Sequence, residues 1–278
     1  MKSLLPIGAL LPLMLSHCVC PSDFRKVDKP RVATIADVEK LSECQIQHYG
    51  TTLLATNGSP AITRALLERG AQPTGKLIFN GKAENGTALA HVNDERVLAL
   101  LLAAGLDANA PVNAEQVPPL CNVTQRGSNH LLPPLLAAGA NPNSADAQGR
   151  TPLYIAASQG NEAACQLLLA HGALADFSGT EDGATPLLGC LKANAHPSDK
   201  MAVVQTLLAA GANIHARDTQ GRTPLFYCTT PALAEALLNA GAELNARDNA
   251  GNTAFDVISQ APVKSYLLVR GANSSNAL

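Results

Sequence analysis

The stretch TPLYIAASQGNEAACQLLLAHGA, residues 151–173, decides how the rest of the chain is read. Thr151 and Pro152 open a first helix, the small residues Ala156 and Ala157 permit close approach of a neighbour, and Gly160 ends the segment. A second helix follows, in which Ala164, Leu167 and Leu168 recur at spacings of three and four and so form one apolar stripe. Gly172 then supplies the backbone freedom needed to leave that helix and enter a β-turn or hairpin.

The same ending recurs along the chain, with terminal glycines at 70, 105, 139, 172, 211, 241 and 271, spaced 35, 34, 33, 39, 30 and 30. Seven registrations of one pattern are not chance. The unit resembles the ankyrin motif G-x-T-P-L-H-x-A, helix, L-L-x-x-G-A, with Tyr154 where that family usually has His. The resemblance implies an all-α fold with short β-hairpin fingers, a solenoid of about seven repeats over residues 36–278. Residues 36–44 read as a capping helix before the first repeat. The irregular spacings predict a lengthened helix connection at residues 192–200, trimming between the helices of the sixth and seventh repeats, and a long finger at residues 72–85.

Composition agrees with stacked thin helices. Of 278 residues, 46% are hydrophobic but only 3% aromatic, with no Trp, so the core is built mainly from Ala and Leu. A formal net charge of -2 and the lack of any Lys/Arg run or basic patch give no reason to expect nucleic acid as a partner.

The N-terminus carries a different signal. Lys2 precedes an apolar run at residues 4–15 interrupted by Pro6 and Pro12, too short for the roughly 20 residues that span a bilayer. Residues 1–17 therefore read as a secretory signal peptide. The ending Leu15-Ser16-His17-Cys18 resembles the bacterial lipobox, with His17 departing from the small residue expected before the acylated cysteine. That resemblance implies lipidation of Cys18, a tether over residues 18–35, and a place in the periplasm. Val19 after the cysteine, where an Asp commonly retains the inner-membrane members, leans toward the outer membrane.

No catalytic constellation emerges. Gly70-Ala71-Gln72-Pro73-Thr74-Gly75-Lys76 begins like a phosphate-binding loop, but Leu77 replaces the magnesium-binding hydroxyl and a helix precedes it instead of a strand. The seven His residues lack the spacing and cysteine partners of a zinc site, so no metal and no cofactor is expected, and no enzyme. Cys165, Cys190 and Cys228 occupy core positions of the repeat. Helices packed about 8–10 Å apart disfavour a Cys190–Cys228 disulfide, whose Cα atoms would need to approach within about 7 Å. Cys20 and Cys44, flanking the tether and cap, form the candidate pair, and Cys121 is unassigned.

In ankyrin proteins the consensus residues stack and the finger tips and first-helix surfaces bind. The resemblance transfers those roles to Ala147, Gln148, Arg150, Ser158 and Gln159 in the fourth repeat, and to Glu181, Asp182, Ala184 and Lys192 in the fifth. It transfers them to Arg217, Thr219, Gln220 and Arg222 in the sixth, and to Arg247, Asn249, Ala250 and Asn252 in the seventh. Phe79, after Leu77 and Ile78 in the long finger, and Phe177 in the finger after the fourth repeat are apolar where polar tips are usual. They either anchor a partner or tuck beneath their own fingers.

One protein partner, lying on the fingers and concave face, is implied. Export and a lipid anchor resemble the immunity lipoproteins that neutralise periplasm-acting antibacterial effectors such as secreted phospholipases. The alternative is a constitutive partner that stabilises a resident periplasmic or envelope enzyme. The anchor is checked by fractionation and fatty-acid labelling: Cys18→Ser is expected to move the protein to the soluble periplasmic fraction and abolish labelling. A wild-type protein already soluble and unlabelled would exclude it.

Overall fold

The computed structural model describes residues 32–275 apart from 57, 80 and 81, with only the backbone described for residues 55, 56, 76–79 and 82–85. The expected signal peptide, Cys18 and Cys20 lie outside the described residues.

The described residues begin with α1 (Ile35–Glu39), opened by a capping box in which Thr34 and Asp37 satisfy each other's free amides. It is followed by α2 (Glu43–Thr56) and α3 (Pro60–Glu68), the first helix pair. The cap is shorter than the expected 36–44. A second capping box, in which Ser42 Oγ accepts from the Gln45 amide at 3.2 Å and Gln45 Oε1 accepts from the Ser42 amide at 2.9 Å, starts α2 anew. Cys44 therefore belongs to the first repeat, half-buried on α2.

The long finger is an antiparallel hairpin, β1 (Thr74–Phe79) with β2 (Lys82–Thr87), in register from Thr74 opposite Thr87 to Phe79 opposite Lys82. These two strands make the one sheet among the described residues. The other fingers are tight turns where the sequence reading expected hairpins, with a lone bridge between Arg247 and Thr253. Five residues from Asp146 to Arg150 turn back on themselves through a bond from the Asp146 amide to the Arg150 carbonyl, which leaves no room for a ladder.

The remaining pairs are a 3-10 turn (Ala88–Ala90) with α4 (Glu95–Ala103), α5 (Pro119–Gln125) with α6 (Leu132–Ala137), and α7 (Pro152–Ser158) with α8 (Glu162–Ala170). They continue with α9 (Pro186–Lys192) and α10 (Pro197–Ala209), a 3-10 turn (Pro224–Tyr227) with α11 (Pro231–Asn239), and α12 (Ala254–Val257) with α13 (Ala261–Val269). Seven such pairs stack among the described residues, first elements on first elements and second helices on second helices. In the fourth and fifth pairs the start is set by the Thr-Pro dipeptide: the buried Thr151 hydroxyl accepts from the Tyr154 amide at 3.2 Å and Thr185 from the Leu188 amide, while Pro152 and Pro186 fill the position that needs no amide.

The leucine-rich end of each pair is equally local. After α8, Gly172 sits at φ 85°, the Gly172 amide returns to the Leu169 carbonyl, and the Ala173 amide returns to the Leu168 carbonyl. This Schellman arrangement brings Ala173 onto Leu168, which explains the Gly-Ala ending as a single device. A Cβ placed on Gly172 would meet no atom within 4 Å, so backbone conformation and not space demands glycine there.

The spacing irregularities are absorbed differently from expectation. The fifth-repeat insertion lengthens α10 to 13 residues as well as the connection before it. In the sixth and seventh repeats the lost residues come out of the first element, reduced to four residues in each. The core runs unbroken through the stack from Val38 to Ala272, and Leu168 at its middle is fully buried. Leu168→Ala is therefore expected to cost about 2–5 kcal/mol, read from chemical denaturation. An unchanged unfolding midpoint would place Leu168 outside the core.

Candidate functional site

The fingers of the last four repeats are built on one recurring anchor. Asp146, buried, accepts the amides of Gln148 at 3.0 Å and Arg150 at 2.9 Å through one oxygen. Asp218 does the same for Gln220 and Arg222, both at 3.0 Å, and Asp248 for Ala250 and Asn252 at 3.0 and 2.9 Å. In the fifth repeat Thr180 takes this place, its hydroxyl accepting from the Ala184 amide at 2.9 Å. An aspartate carboxylate aimed at two backbone amides is an Asx-type turn closed without a second strand.

Adjacent fingers are stitched to each other. The Thr219 amide donates to the Asp182 carbonyl at 3.0 Å and the Asn249 amide to the Gln220 carbonyl at 2.9 Å. Arg217 donates to the Gly221 and Arg247 carbonyls at 2.8 and 2.7 Å, and Asn249 Nδ2 to the Thr219 carbonyl at 3.0 Å. Between the fourth and fifth repeats the approach is closer still. A Cβ on Gly149, itself at φ 73°, would fall 1.7 Å from the Gly179 carbonyl oxygen.

These contacts place the residues nominated from sequence. Gln148, Arg217, Gln220, Arg247 and Asn249 are exposed along one row of fingers, and the structure brings the last four together. Arg150 is half-buried, its guanidinium 2.7 Å from the Asp146 carboxylate, so its charge closes its own turn. Arg247 donates to the Gly251 carbonyl at 2.7 Å. The Phe177 ring is half-buried, with an edge carbon 2.5 Å from where a Cβ on Gly179 would stand, so it lies folded over its own finger. Phe79 ends β1; its side chain lies outside the described residues, as does the Cys20 partner expected for Cys44. Ala184 is a correction: expected at the surface, it is fully buried against Leu188 and Ala216 because the Thr180 turn draws it inward.

Behind the fingers lies a charged ladder that sequence reading did not assemble. Lys192 Nζ sits 2.8 Å from carboxylate oxygens of both Asp182 and Asp218, and 5.0 Å from the centre of the Tyr227 ring. Tyr227 donates its hydroxyl to Asp218 at 2.5 Å, and Arg222 reaches the next repeat to meet Asp248 at 3.3 Å. Burial alone would raise the Asp218 carboxyl, but bonds from Lys192, Tyr227 and the Arg222 amide outweigh it and hold the group below the usual carboxylate range. Asp248 is likewise held low against burial, by the Asn252 amide and side chain and by Arg222. Burial would lower the Lys192 ammonium, yet its two aspartates carry it above the usual lysine range. Asp182, Lys192 and Arg222 were visible as single surface positions. Tyr227 and the pairing were not, because Lys192 to Asp218 and Arg222 to Asp248 each join one repeat to the next.

The cysteines Cys121, Cys165, Cys190 and Cys228 are buried free thiols, each pushed up to about 12 chiefly by burial. Among the described residues no three His, Cys, Asp or Glu side chains gather as a metal site would require. Helix α3 leads through Gly70 into strand β1, the reverse of the order a phosphate-binding loop needs.

Residues 120–218 match the family model for ankyrin repeats in three copies, and residues 220–249 match that for a single ankyrin repeat. These residues are ankyrin repeats. The chain is an all-α ankyrin solenoid, and ankyrin repeats are protein-interaction modules, which directs the finger row toward a protein partner. Among similar proteins is neurogenic locus notch homolog protein 4 of Homo sapiens, 46% identical over 79 residues, which are 28% of this chain and 4% of that one. The RelA-associated inhibitor of Mus musculus is 40% identical over 78 residues, 28% of this chain and 10% of its own. Potassium channel AKT2/3 of Arabidopsis thaliana is 29% identical over 145 residues, 41% and 18% respectively. The chain thus spans less than a fifth of the length of each of these relatives.

The ladder has a definite pH signature. Asp218 and Asp248 titrate lower when folded than their unfolded value of about 3.9. Their contribution to stability is complete above that pH and is lost as pH falls through the folded value. Lys192 has the opposite sign: its contribution is complete below about 10.4 and is lost as pH rises through its raised folded value. Asp218→Asn is expected to lower stability at pH 7 by about 1–3 kcal/mol and to flatten the fall of the melting temperature below pH 4. A variant with wild-type stability at pH 7 would show that the ladder contributes nothing.

Proposed function

We propose that this chain is a non-enzymatic module that binds one protein partner along the finger row and first-element face of its last four repeats. Within that reading we place it in the bacterial periplasm as an immunity lipoprotein, anchored through Cys18 to the outer membrane, that neutralises a periplasm-acting antibacterial effector such as a secreted phospholipase. The observation that carries the binding role is the stitching of one finger to the next, with Arg217 crossing to the Arg247 carbonyl and the Asn249 amide to the Gln220 carbonyl. Such a row presents exposed side chains on a surface already ordered, so a partner meets it with little further loss of conformational freedom. The signal-like residues 1–17 and the lipobox-like Leu15-Ser16-His17-Cys18 support the compartment.

The geometry also ranks the contacts. Gln220 projects from a finger whose backbone is fully engaged, and so can be altered without loosening the row, whereas Arg217 and Asn249 hold neighbouring fingers together. Phe177 offers apolar surface at the finger preceding them. Affinity purification from envelope extracts with mass spectrometry identifies the partner, and binding and protection are then measured with Phe177→Ala, Gln220→Ala and Arg247→Ala. At least one substitution is expected to weaken binding tenfold or more while the fold is kept, with inhibition of the partner stoichiometric. Full affinity in all three would move the surface elsewhere. A partner bound with its activity unchanged or raised would replace neutralisation by constitutive stabilisation.

A further inference from the structure

Shortening of the first elements in the sixth and seventh repeats, beside the insertion in the fifth, leaves a hollow of about 450 Å³ in the floor of the stack. Its walls include Lys192 and Lys200 of the fifth repeat, Arg222 and Thr229 of the sixth, and Ile258 and Gln260 of the seventh. The volume lies within the range of about 300–1,000 Å³ typical of ligand pockets. No Asp or Glu lines it.

Two of the three cations are already balanced, Lys192 by Asp182 and Asp218 and Arg222 by Asp248. Lys200 is not. It is 3% exposed, and its ammonium donates to the Leu191 carbonyl at 2.9 Å, with no carboxylate in salt-bridge range among the described residues. That carbonyl, at the C-terminal end of α9, engages one of the three N–H groups and offsets the charge only in part, with no anion to complete the balance. Thr229, which also lines the hollow, adds a buried hydroxyl oxygen with no hydrogen-bond partner. Burying an ammonium without an anion is costly, as is burying an unbonded hydroxyl. Both are remedied by a single acceptor group of negative charge. Phe226, Val257 and Ile258 give the hollow an apolar side, alongside the polar Asn194, Ser259 and Gln260, which suits an acceptor carried on a short apolar stem.

We propose that the hollow is a binding site for a carboxylate, received by Lys200 with Thr229 beside it. The site goes beyond the finger row and does not require it. The carboxylate comes from an acidic residue of a protein segment or from a free small acid, and the two differ in the stem they bring to the apolar wall. Burial depresses the Lys200 ammonium below the usual lysine range, as expected of a charge awaiting its partner.

The test uses the full-length protein, isotopically labelled, titrated at pH 7 with acetate, with N-acetyl-Leu-Glu-amide, and with the neutral N-acetyl-Leu-Gln-amide. Saturable shifts of the Ala193, Asn194, Thr229 and Ser259 amides are expected with the Glu peptide, at least tenfold tighter than with the Gln peptide. A Glu peptide tighter than acetate assigns the site to a protein segment, and equal affinity assigns it to a free acid; both outcomes support the carboxylate. Lys200→Met is expected to abolish the Glu preference, and Thr229→Val to weaken it. No shift with either carboxylate, or equal binding of the Glu and Gln peptides to the wild-type protein, overturns the proposal without any variant having to fold. Because the probes involve neither finger contacts nor the cellular partner, such a failure leaves the protein-binding role intact.

Discussion

The constraint on which the rest of the molecule depends is the turn at the end of each second helix and the amide that reaches it from the preceding repeat. Asn109 donates to the Gly139 carbonyl at 3.0 Å and accepts from the Asn141 amide at 2.8 Å; Asn143 repeats this on Gly172 and Leu174 at 3.0 and 2.8 Å. Asn245 does so on Gly271 and Asn273 at 3.4 and 2.9 Å. The glycine turn leaves a carbonyl and an amide without helical partners, and one side-chain amide, carrying both a donor and an acceptor, satisfies the two together. At these three junctions a repeat is thereby registered on the next at a fixed height, and the leucines below are aligned to bury one another. The solenoid owes its continuity to this coincidence of polar stitching above and apolar packing beneath.

Registration has a consequence for the surface. Because neighbouring repeats stack closely, side chains that start in one repeat can end in the next, and the ladder from Asp182 through Lys192 and Asp218 toward Asp248 is such a crossing. The fourth repeat lacks the crossing. There Arg150 folds onto its own Asp146, and the close backbone approach of Gly149 to Gly179 does the joining instead. The finger row is therefore held by polar contacts over its last repeats and by steric closeness before them. A rigid edge results from both, and it is the feature that suits a protein-binding surface.

The irregular repeats show how a solenoid acquires a site. Repeats of uniform length fill the space between them, whereas removal of nearly a turn from two consecutive first elements leaves volume that no neighbour can reach. The longer α10 and its preceding loop fence that volume, and Lys200 at the start of α10 is carried into its wall. Polar groups otherwise out of place in an Ala- and Leu-rich stack are concentrated there, beside the buried thiols Cys190 and Cys228.

What the sequence by itself determined is whatever depends on residues within a turn or so of one another. The Thr-Pro starts, the Gly-Ala endings and the leucine spacings are each closed by bonds spanning three to five residues, such as Ala173 to Leu168, so the helix pairs, their number and the core position of Leu168 could be read directly. The burial of Cys165, Cys190 and Cys228 followed from the same register. Reading failed where closure is not of that kind. The fingers became turns because an aspartate side chain, not a strand partner, satisfies their amides, and the cap broke at Ser42 because a second capping box competes with continuing the helix. Only the tertiary structure decided which charges meet, since Arg222 and Asp248 lie 26 residues apart and are joined by the stacking of whole repeats. The hollow around Lys200 is of the same origin: an insertion and two deletions, each legible alone, make a cavity only when three repeats are set side by side.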